Sequence, residues 1–184
     1  MMRRFLCPST LLAALMVVLA PTTTQAQITA PGPYYAVPSW DQTFPAVTRF
    51  VILSNMNSEA VLDRETGLVW ERTPGGGETD FLGARISCFL RSSGGRKGWR
   101  LPSVDELTTL LLPTPFNPTF TPALPPGHPF DLSNIALGAS VWSSTADPSA
   151  VYAVGLAQGN LLVAPPPPSQ TQSHRWCVRG PGGR

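Results

Sequence analysis

A helix start is encoded in residues 98–107, which read Gly-Trp-Arg-Leu-Pro-Ser-Val-Asp-Glu-Leu. Ser103 and Glu106 have the S-x-x-E spacing of a capping box, in which the serine oxygen accepts the amide proton of Glu106 and the glutamate accepts that of Ser103. Pro102 stiffens the turn before the helix, and Pro113 cannot continue it. The stretch therefore predicts a strand end, a tight turn and a helix of about two to three turns that begins at Ser103.

The N-terminus has the three parts of an export signal. Arg3 and Arg4 give a basic start, residues 11–20 an apolar stretch, and residues 24–26 a small-residue cleavage site. Since a bilayer span needs roughly 20 apolar residues, this stretch is too short to serve as a retained membrane anchor. We expect cleavage after Ala26 and a periplasmic or extracellular location.

Two cysteines remain after that cleavage, because Cys7 lies within the signal. An even number of cysteines in an oxidising compartment favours a disulfide, so we predict a bond between Cys88 and Cys177. It would close a loop of about 90 residues, which the chain-entropy model values at roughly 4–5 kcal/mol. Two unrelated buried thiols are the alternative. Redox catalysis is disfavoured, since the two cysteines do not form a C-x-x-C pair.

Charge argues against a nucleic-acid partner. The whole chain has 13 basic and 11 acidic residues, and removal of Arg3 and Arg4 leaves 11 of each, so the mature chain is formally neutral. Proteins that bind nucleic acid need a basic surface to neutralise phosphates. The mature length of 184 minus 26, or 158 residues, suits one domain with its own core.

Composition divides the chain into three segments. These are a signal peptide over 1–26, a proline-rich arm over 27–45 and a folded domain over 46–181. The aromatic residues of the arm are Tyr34, Tyr35, Trp40 and Phe44. We expect the arm to pack on its own domain, with a surface for a partner as the alternative.

Within the domain, apolar patterns predict a small α+β fold. The expected strands are 50–53, 60–62, 68–70, 141–145, 151–156, 161–164 and 174–179, the last with a bulge or twist. Asp80 is the expected N-cap of a second helix that runs to about Arg91, and the broad apolar face of this helix predicts burial.

Residues 73–77 are expected to form a flexible glycine loop. Residues 113–140 contain seven prolines and predict a long irregular connection, of a type that is often functional.

Six motifs taken together resemble the Lcl C-terminal domain family. They are residues 62–70, the helix with Cys88, and residues 98–103, 127–130, 142–145 and 177–180. The resemblance covers about residues 60–181. It implies a C-type-lectin-like fold, similar also to formylglycine-enzyme-like folds, with two short helices packed on small antiparallel sheets, long irregular loops and one long-range disulfide. It also implies a secreted bacterial domain. The namesake member is a surface adhesin for sulfated polysaccharide, whose collagen-like repeat is absent from this sequence.

We therefore expect a non-catalytic binding module for a polysaccharide or a surface protein, with a purely structural role in the envelope as the alternative. The predicted ligand-binding residues are the bases near loops, Arg96, Lys97, His174 and Arg175. The predicted scaffold residues are Trp99, Arg100, Pro102, Ser103, Glu106 and Trp142. Arg100 is expected to pair with a nearby carboxylate. Affinity is expected to reside in the loops 113–140 and 157–174.

Two other functions have less support from the sequence. His128, Asp131 and His174 could be combined into a hydrolase triad, but no G-x-S-x-G nucleophile elbow accompanies them. Calcium could bind Asp131, Asn134 and Asp147, but these residues do not form a dense D-x-D pattern. We therefore expect no catalytic residue, no metal and no cofactor.

Overall fold

The computed structural model describes residues 43–113, 119, 121–167 and 169–180. The predicted signal peptide and the arm up to residue 42 lie outside this part of the chain. The helices are α1 (Ala46–Arg49), α2 (Phe81–Leu90) and α3 (Val104–Leu110). The strands are β1 (Phe50–Ile52), β2 (Ala60–Asp63), β3 (Val69–Glu71), β4 (Gly75–Thr79), β5 (Ser140–Asp147), β6 (Ala150–Gly155), β7 (Leu161–Ala164), β8 (Ser173–Arg175) and β9 (Val178–Arg179). Among the described residues, no helix has the length and apolar character needed to cross a membrane.

The strands form two sheets. The four-stranded sheet has the order β1-β2-β3-β9 and is antiparallel throughout. The five-stranded sheet has the order β4-β8-β5-β6-β7, and it is mixed because β8 runs parallel to β5. The α+β class expected from the sequence is therefore confirmed. The third helix, α1, is a single turn that apolar periodicity did not reveal.

Alternation along the strands builds two apolar clusters, because successive side chains of a strand point to opposite faces. Leu62 and Val69 belong to one cluster. Val61 and Trp70, each one residue away, belong to the other, where Trp70 packs edge to face on Trp176 with ring centroids 5.6 Å apart. The four-stranded sheet is thus buried on both faces and lies in the interior of the domain.

The capping box is present as the sequence predicts. Ser103 Oγ accepts the amide of Glu106 at 3.1 Å, and Glu106 Oε2 accepts the amide of Ser103 at 2.8 Å. The same carboxylate receives two hydrogen bonds from Arg100, at 2.8 and 2.7 Å. The expected pairing of Arg100 with a carboxylate is therefore confirmed, and its partner is the capping glutamate itself.

The predicted disulfide is confirmed. Cys88 of α2 is bonded to Cys177, with Cα atoms 5.5 Å apart and 89 residues between them in sequence. Both cysteines are fully buried in the apolar cluster that contains Leu62. The bond therefore attaches α2 to the C-terminal segment that joins the two sheets.

A buried ion pair attaches the start of the domain to the hairpin of β2 and β3. Arg49 and Asp63 are both buried, and two hydrogen bonds of 2.9 and 2.8 Å join them. Arg49 also donates to the carbonyl of Thr109 in α3 and lies 2.8 Å from Glu65. The end of the arm is held here too, since the amide of Phe44 donates to Glu65 at 2.6 Å.

The glycine segment is a strand, so the flexible loop expected over 73–77 is wrong. Residues 75–79 form β4 and pair with β8. The side chain of Arg175 lies directly over Gly75, where a Cβ atom would come 1.7 Å from Arg175 Nη1. A glycine is needed here because the neighbouring strand's arginine occupies the space that a side chain would fill.

The last strand is divided in two, which corrects the single strand expected over 174–179. β8 belongs to the five-stranded sheet and β9 to the four-stranded sheet. Trp176, Cys177 and Val178 are three consecutive buried residues. Trp176 and Cys177 lie between the two strands, where the chain leaves one sheet and enters the other, and they pack in different apolar clusters.

The outer face of α2 is exposed, which contradicts the burial predicted from its breadth. Phe81, Ala84 and Cys88 are buried. The exposed apolar residues of the helix are Leu82, Ile86, Phe89 and Leu90. The helix is anchored through one stripe only, and its remaining apolar residues face outward.

The long connection is only partly a surface loop. Residues 114–118 and 120 lie outside the described part of the chain. Further along, Leu124 and Phe130 are buried in the same cluster as Trp70. Affinity expected from the whole segment 113–140 therefore cannot come from these two side chains, because they build the core.

We predict that Ser103→Ala lowers the free energy of unfolding by about 1 kcal/mol, because the amide of Glu106 loses its acceptor. Thr108→Ala is the matched control, since its exposed hydroxyl bonds only to a carbonyl of the preceding turn. Urea denaturation of the three proteins measures the effect. Equal midpoints for the Ser103 variant and the wild type would show that the cap does not contribute to stability.

We predict that the double change Cys88→Ala and Cys177→Ala lowers the free energy of unfolding by roughly 4–5 kcal/mol, because the unfolded chain is no longer cross-linked. Denaturation of the variant and of the oxidised wild type measures the loss. A loss similar to that of an ordinary buried apolar truncation would assign the effect to packing alone.

Candidate functional site

The candidate site is built around a buried carboxylate. Glu71, at the end of β3, is 1% exposed. It accepts hydrogen bonds from Arg91 Nε at 2.5 Å, from Ser93 Oγ at 3.0 Å and from the amide of Cys177 at 3.2 Å. A buried charge needs such donors, because it has lost its hydration. Glu71 therefore fixes the end of α2 and the loop that follows it.

A tight contact between two turns forms one wall of the site. Asn57 and Ser58 both have positive φ, 54° and 58°, an uncommon conformation for residues other than glycine. Gly94 packs against the first of these turns, where a Cβ atom would lie 2.5 Å from the Cβ of Met56. The amide of Gly94 also donates to Glu59 at 2.5 Å. These contacts leave no room for a side chain at residue 94.

The two turns and the end of α2 enclose a cavity of about 640 Å³, which we call the polar cavity. Its lining residues are Asn57, Ser58, Glu59, Arg72, Thr73, Arg91, Ser92, Ser93, Gly95 and Asp131. Every lining side chain except that of the glycine carries a hydrogen-bonding group. A ligand held here would be recognised by hydrogen bonds and charge.

Two arginines supply the strongest donors of the polar cavity. Arg91 donates through Nε to Glu71, and within the described residues its Nη groups make no hydrogen bond. Arg72 is held by the carbonyls of Pro129 and Ser58, at 3.3 and 3.4 Å. A guanidinium fixed at one edge presents its other donors in a defined plane, which suits planar or tetrahedral anions.

Asp131 adds a negative charge to the lining of the polar cavity. Its pKa is lowered mainly by hydrogen bonds from Ser133, and the charge of Arg72 lowers it further. The carboxylate is therefore ionised at neutral pH. Charge around the polar cavity is mixed, since two arginines, Arg72 and Arg91, and two carboxylates, Glu59 and Asp131, line it.

The sequence model of the Lcl C-terminal domain matches residues 59–179, about two thirds of the chain. The chain belongs to the Lcl C-terminal domain family. A search of curated proteins finds no match. The Lcl C-terminal domain match includes both disulfide cysteines and all of the polar cavity except Asn57 and Ser58, which lie just before it.

Arg96 and Lys97 lie on the surface of the Lcl C-terminal domain, directly after Gly95 of the polar cavity. Both are exposed. The backbone beneath them is fixed, since Trp99 Nε1 donates to the carbonyl of Arg96 and Arg179 donates to that of Lys97. Because both residues are exposed, a ligand can contact them. Their predicted binding role stays a prediction.

His174 and Arg175 are not exposed bases, which corrects the placement expected from the sequence. His174 is 4% exposed, and its Nε2 lies 3.9 Å from Glu78, while neither ring nitrogen has a hydrogen-bond partner among the described residues. Burial lowers the pKa of Arg175, the charge of Arg91 lowers it further, and Glu71 raises it. Arg175 is thus close enough to Arg91 and Glu71 for their charges to affect it. His174 lies near Glu78 instead.

The predicted scaffold motif of the Lcl C-terminal domain has its expected role in packing. Trp99 and Trp142 are buried, and Trp142 Nε1 donates to the carbonyl of Thr79 at 2.7 Å. Pro102 accepts the amide of Ser144 at 2.6 Å, which joins the turn to β5. Each of these residues has a structural partner.

The residues considered for catalysis and calcium are dispersed. Within the described chain, no hydrogen bond joins any two of His128, Asp131 and His174; the amide of Phe130 donates to His128 Nδ1 at 3.2 Å. Asp147 accepts from Ser149 and Tyr152. The described residues contain no group of three or more His, Cys, Asp or Glu side chains that could hold a metal ion.

Sequence reasoning missed the central residues of the polar cavity. Glu71 and Arg72 follow a strand that was recognised, but their partner Arg91 is 20 residues away and no local pattern links them. Asn57 carried a usable signal, since asparagine tolerates positive φ better than most residues. The polar run around it lies between two predicted strands and has no periodicity that predicts a further element.

We predict that Gly94→Ala destabilises the domain by about 2–4 kcal/mol, since both a left-handed backbone and overpacking against Met56 contribute. Gly95→Ala is the matched control, because Gly95 also has positive φ, 68°, but nothing lies within 4 Å of an added Cβ. Only the backbone cost of roughly 1 kcal/mol is expected there. Denaturation midpoints compare the two, and equal losses would contradict the close contact.

Proposed function

We propose that this domain is a non-catalytic binding module that takes an anionic polysaccharide in the polar cavity. The observation that carries the proposal is the fixed guanidinium of Arg91. Its Nε is held by the buried Glu71, and its side chain is 38% exposed where it lines the cavity. A preorganised guanidinium binds a carboxylate or sulfate without first losing the conformational freedom of a mobile side chain.

Charge around the cavity supports an anionic ligand. Arg72 and Arg91 line it, and Arg96 and Lys97 are exposed directly after its edge. The lining itself carries two carboxylates, Glu59 and Asp131, against the two arginines. The excess of positive charge therefore comes from Arg96 and Lys97 at its edge, and exposed charge contacts of this kind weaken as salt screens them.

The uncharged lining supports a hydroxylated ligand. Asn57, Ser58, Thr73 and Ser92 offer amide and hydroxyl groups, which donate and accept hydrogen bonds as sugar hydroxyls do. The volume of about 640 Å³ falls within the range of about 300–1,000 Å³ that is usual for small-ligand sites. One or a few sugar residues would fill it.

The disulfide supports an exported location. Bonds of this kind persist in oxidising compartments and are rare in the cytosol. We therefore propose that the domain works in the periplasm or outside the cell. A structural role in the envelope is the second candidate, and the observation that favours it is the exposed apolar face of α2.

The test is binding of the full chain to heparin, to a sulfate-free polyuronate and to neutral dextran, at low and high salt. Arg91→Lys and the double change Arg96→Ala and Lys97→Ala should each weaken binding to an anionic polymer by roughly tenfold or more, since charge-assisted hydrogen bonds contribute on the order of 1.5–3 kcal/mol. Dextran should not bind. High salt should weaken the interaction of the wild type.

Arg85→Ala is the matched control, because Arg85 is an exposed arginine of α2 outside the polar cavity. An equal loss in this variant would mean that binding depends on net charge alone. Absence of binding to all three polymers would favour the structural role.

A further inference from the structure

The outer face of α2 is an apolar surface that the proposed function does not use. Leu82, Ile86, Phe89 and Leu90 are 48%, 58%, 75% and 62% exposed. At about 200 Å² for a large apolar residue, these four leave on the order of 500 Å² of apolar surface in contact with solvent. A patch of this size matches the largest apolar patch of a typical monomer, which is often functional.

The patch continues into a groove of about 530 Å³ between α2 and the segment before α3, which we call the apolar groove. Leu82, Ile86 and Phe89 form one wall. Trp99 and Leu101, which are both buried, form the floor. Arg85 extends along the helix wall, with its guanidinium 5.6 Å from the centre of the Phe81 ring.

We propose that residues 31–40 of the chain's own N-terminal arm occupy the apolar groove. This segment has three prolines and three aromatic residues, and residues 27–40 contain no charged side chain. Segments rich in proline and aromatic residues suit shallow apolar grooves, because proline restricts the free chain and less entropy is lost on docking. This interaction is separate from the polar cavity and from polysaccharide binding.

The arm is long enough to reach the groove from its point of attachment. Phe44 is held at the β2–β3 turn by Glu65. In the sheet, β9 lies beside β3, and Arg100 of the groove pairs with Val178 of β9. Two strand spacings of about 4.8 Å each therefore separate β3 from this edge of the groove. Residues 31–43 span up to about 45 Å when extended, which is ample for this distance.

A second copy of the chain fits the groove less well. Arg85 lies near the middle of α2, and a two-fold pairing of the helices would bring the two arginines together with no acidic residue on the helix to offset them. The patch of roughly 500 Å² also falls short of the ~800 Å² per partner of a standard interface. An attached arm needs less area, because its docking is intramolecular.

Trp40 provides the test in the full chain. The other four tryptophans, Trp70, Trp99, Trp142 and Trp176, are at most 2% exposed. Acrylamide quenching is measured for the wild type and for the double variant Ile86→Asp and Phe89→Asp. In each background the signal of Trp40 is obtained by subtracting the spectrum of the corresponding Trp40→Phe protein, which removes any change at Trp99.

Docking predicts a blue-shifted, weakly quenched Trp40 in the wild type, and a several-fold rise in its quenching constant in the groove variant. Leu161→Asp with Val163→Asp is the matched control, because these exposed apolar residues lie on β7 and outside the groove, and it should leave Trp40 unchanged. The substituted side chains are exposed, so thermal melts should show that each variant folds.

Two results would overturn the proposal. The first is a Trp40 that is quenched as strongly in the wild type as in the groove variant. The second is a wild-type dimer that becomes monomeric in the groove variant while Trp40 quenching stays unchanged, as measured by light scattering. That outcome would assign the groove to a second copy. Neither result depends on whether any polysaccharide binds.

Discussion

The structure depends on one buried carboxylate and the disulfide beside it. Glu71 accepts the amide of Cys177, and Cys177 is bonded to Cys88 of α2. The same carboxylate holds Arg91, which follows the last turn of that helix. The position of α2 is thus fixed by a covalent bond from Cys177 and by a charged hydrogen bond from Glu71, and these two residues are themselves hydrogen-bonded. If either the disulfide or the Glu71–Arg91 hydrogen bond were removed, the other alone would have to offset the conformational entropy that a detached helix gains.

The short helix α2 and the residue that follows it contribute to three surfaces of the domain. Its inner stripe, with Phe81 and Cys88, belongs to the core. The residue after its end, Arg91, lines the polar cavity, and its outer face with Phe89 lines the apolar groove. A change that tilts α2 would therefore alter both concave surfaces at once. Substitutions intended to separate the two surfaces must leave the inner stripe intact.

Local patterns in the sequence predicted the parts of the fold that depend on local chemistry. The capping box of Ser103 and Glu106, the N-cap at Asp80 and the hairpin before Val69 need only residues a few positions apart. The pairing of β4 with β8 depends on Arg175 filling the space over Gly75, about 100 residues away. No local pattern contains that information, and the same holds for the contacts that enclose the polar cavity.

The exchange of sheets near Cys177 has a consequence for how the chain folds. β8 lies between β4 and β5, and β9 is the last strand of the other sheet, so both sheets are completed by residues 173–179. A chain made from its N-terminus can complete neither sheet until residues 173–179 have been synthesised. Among the described strands, the pairs of β3 with β9, β4 with β8 and β5 with β8 are long-range, and such pairing slows folding because long loops must close before contacts form. The two sheets can therefore form together only once this segment is present, and a nascent chain would expose its unpaired strands to other proteins until then.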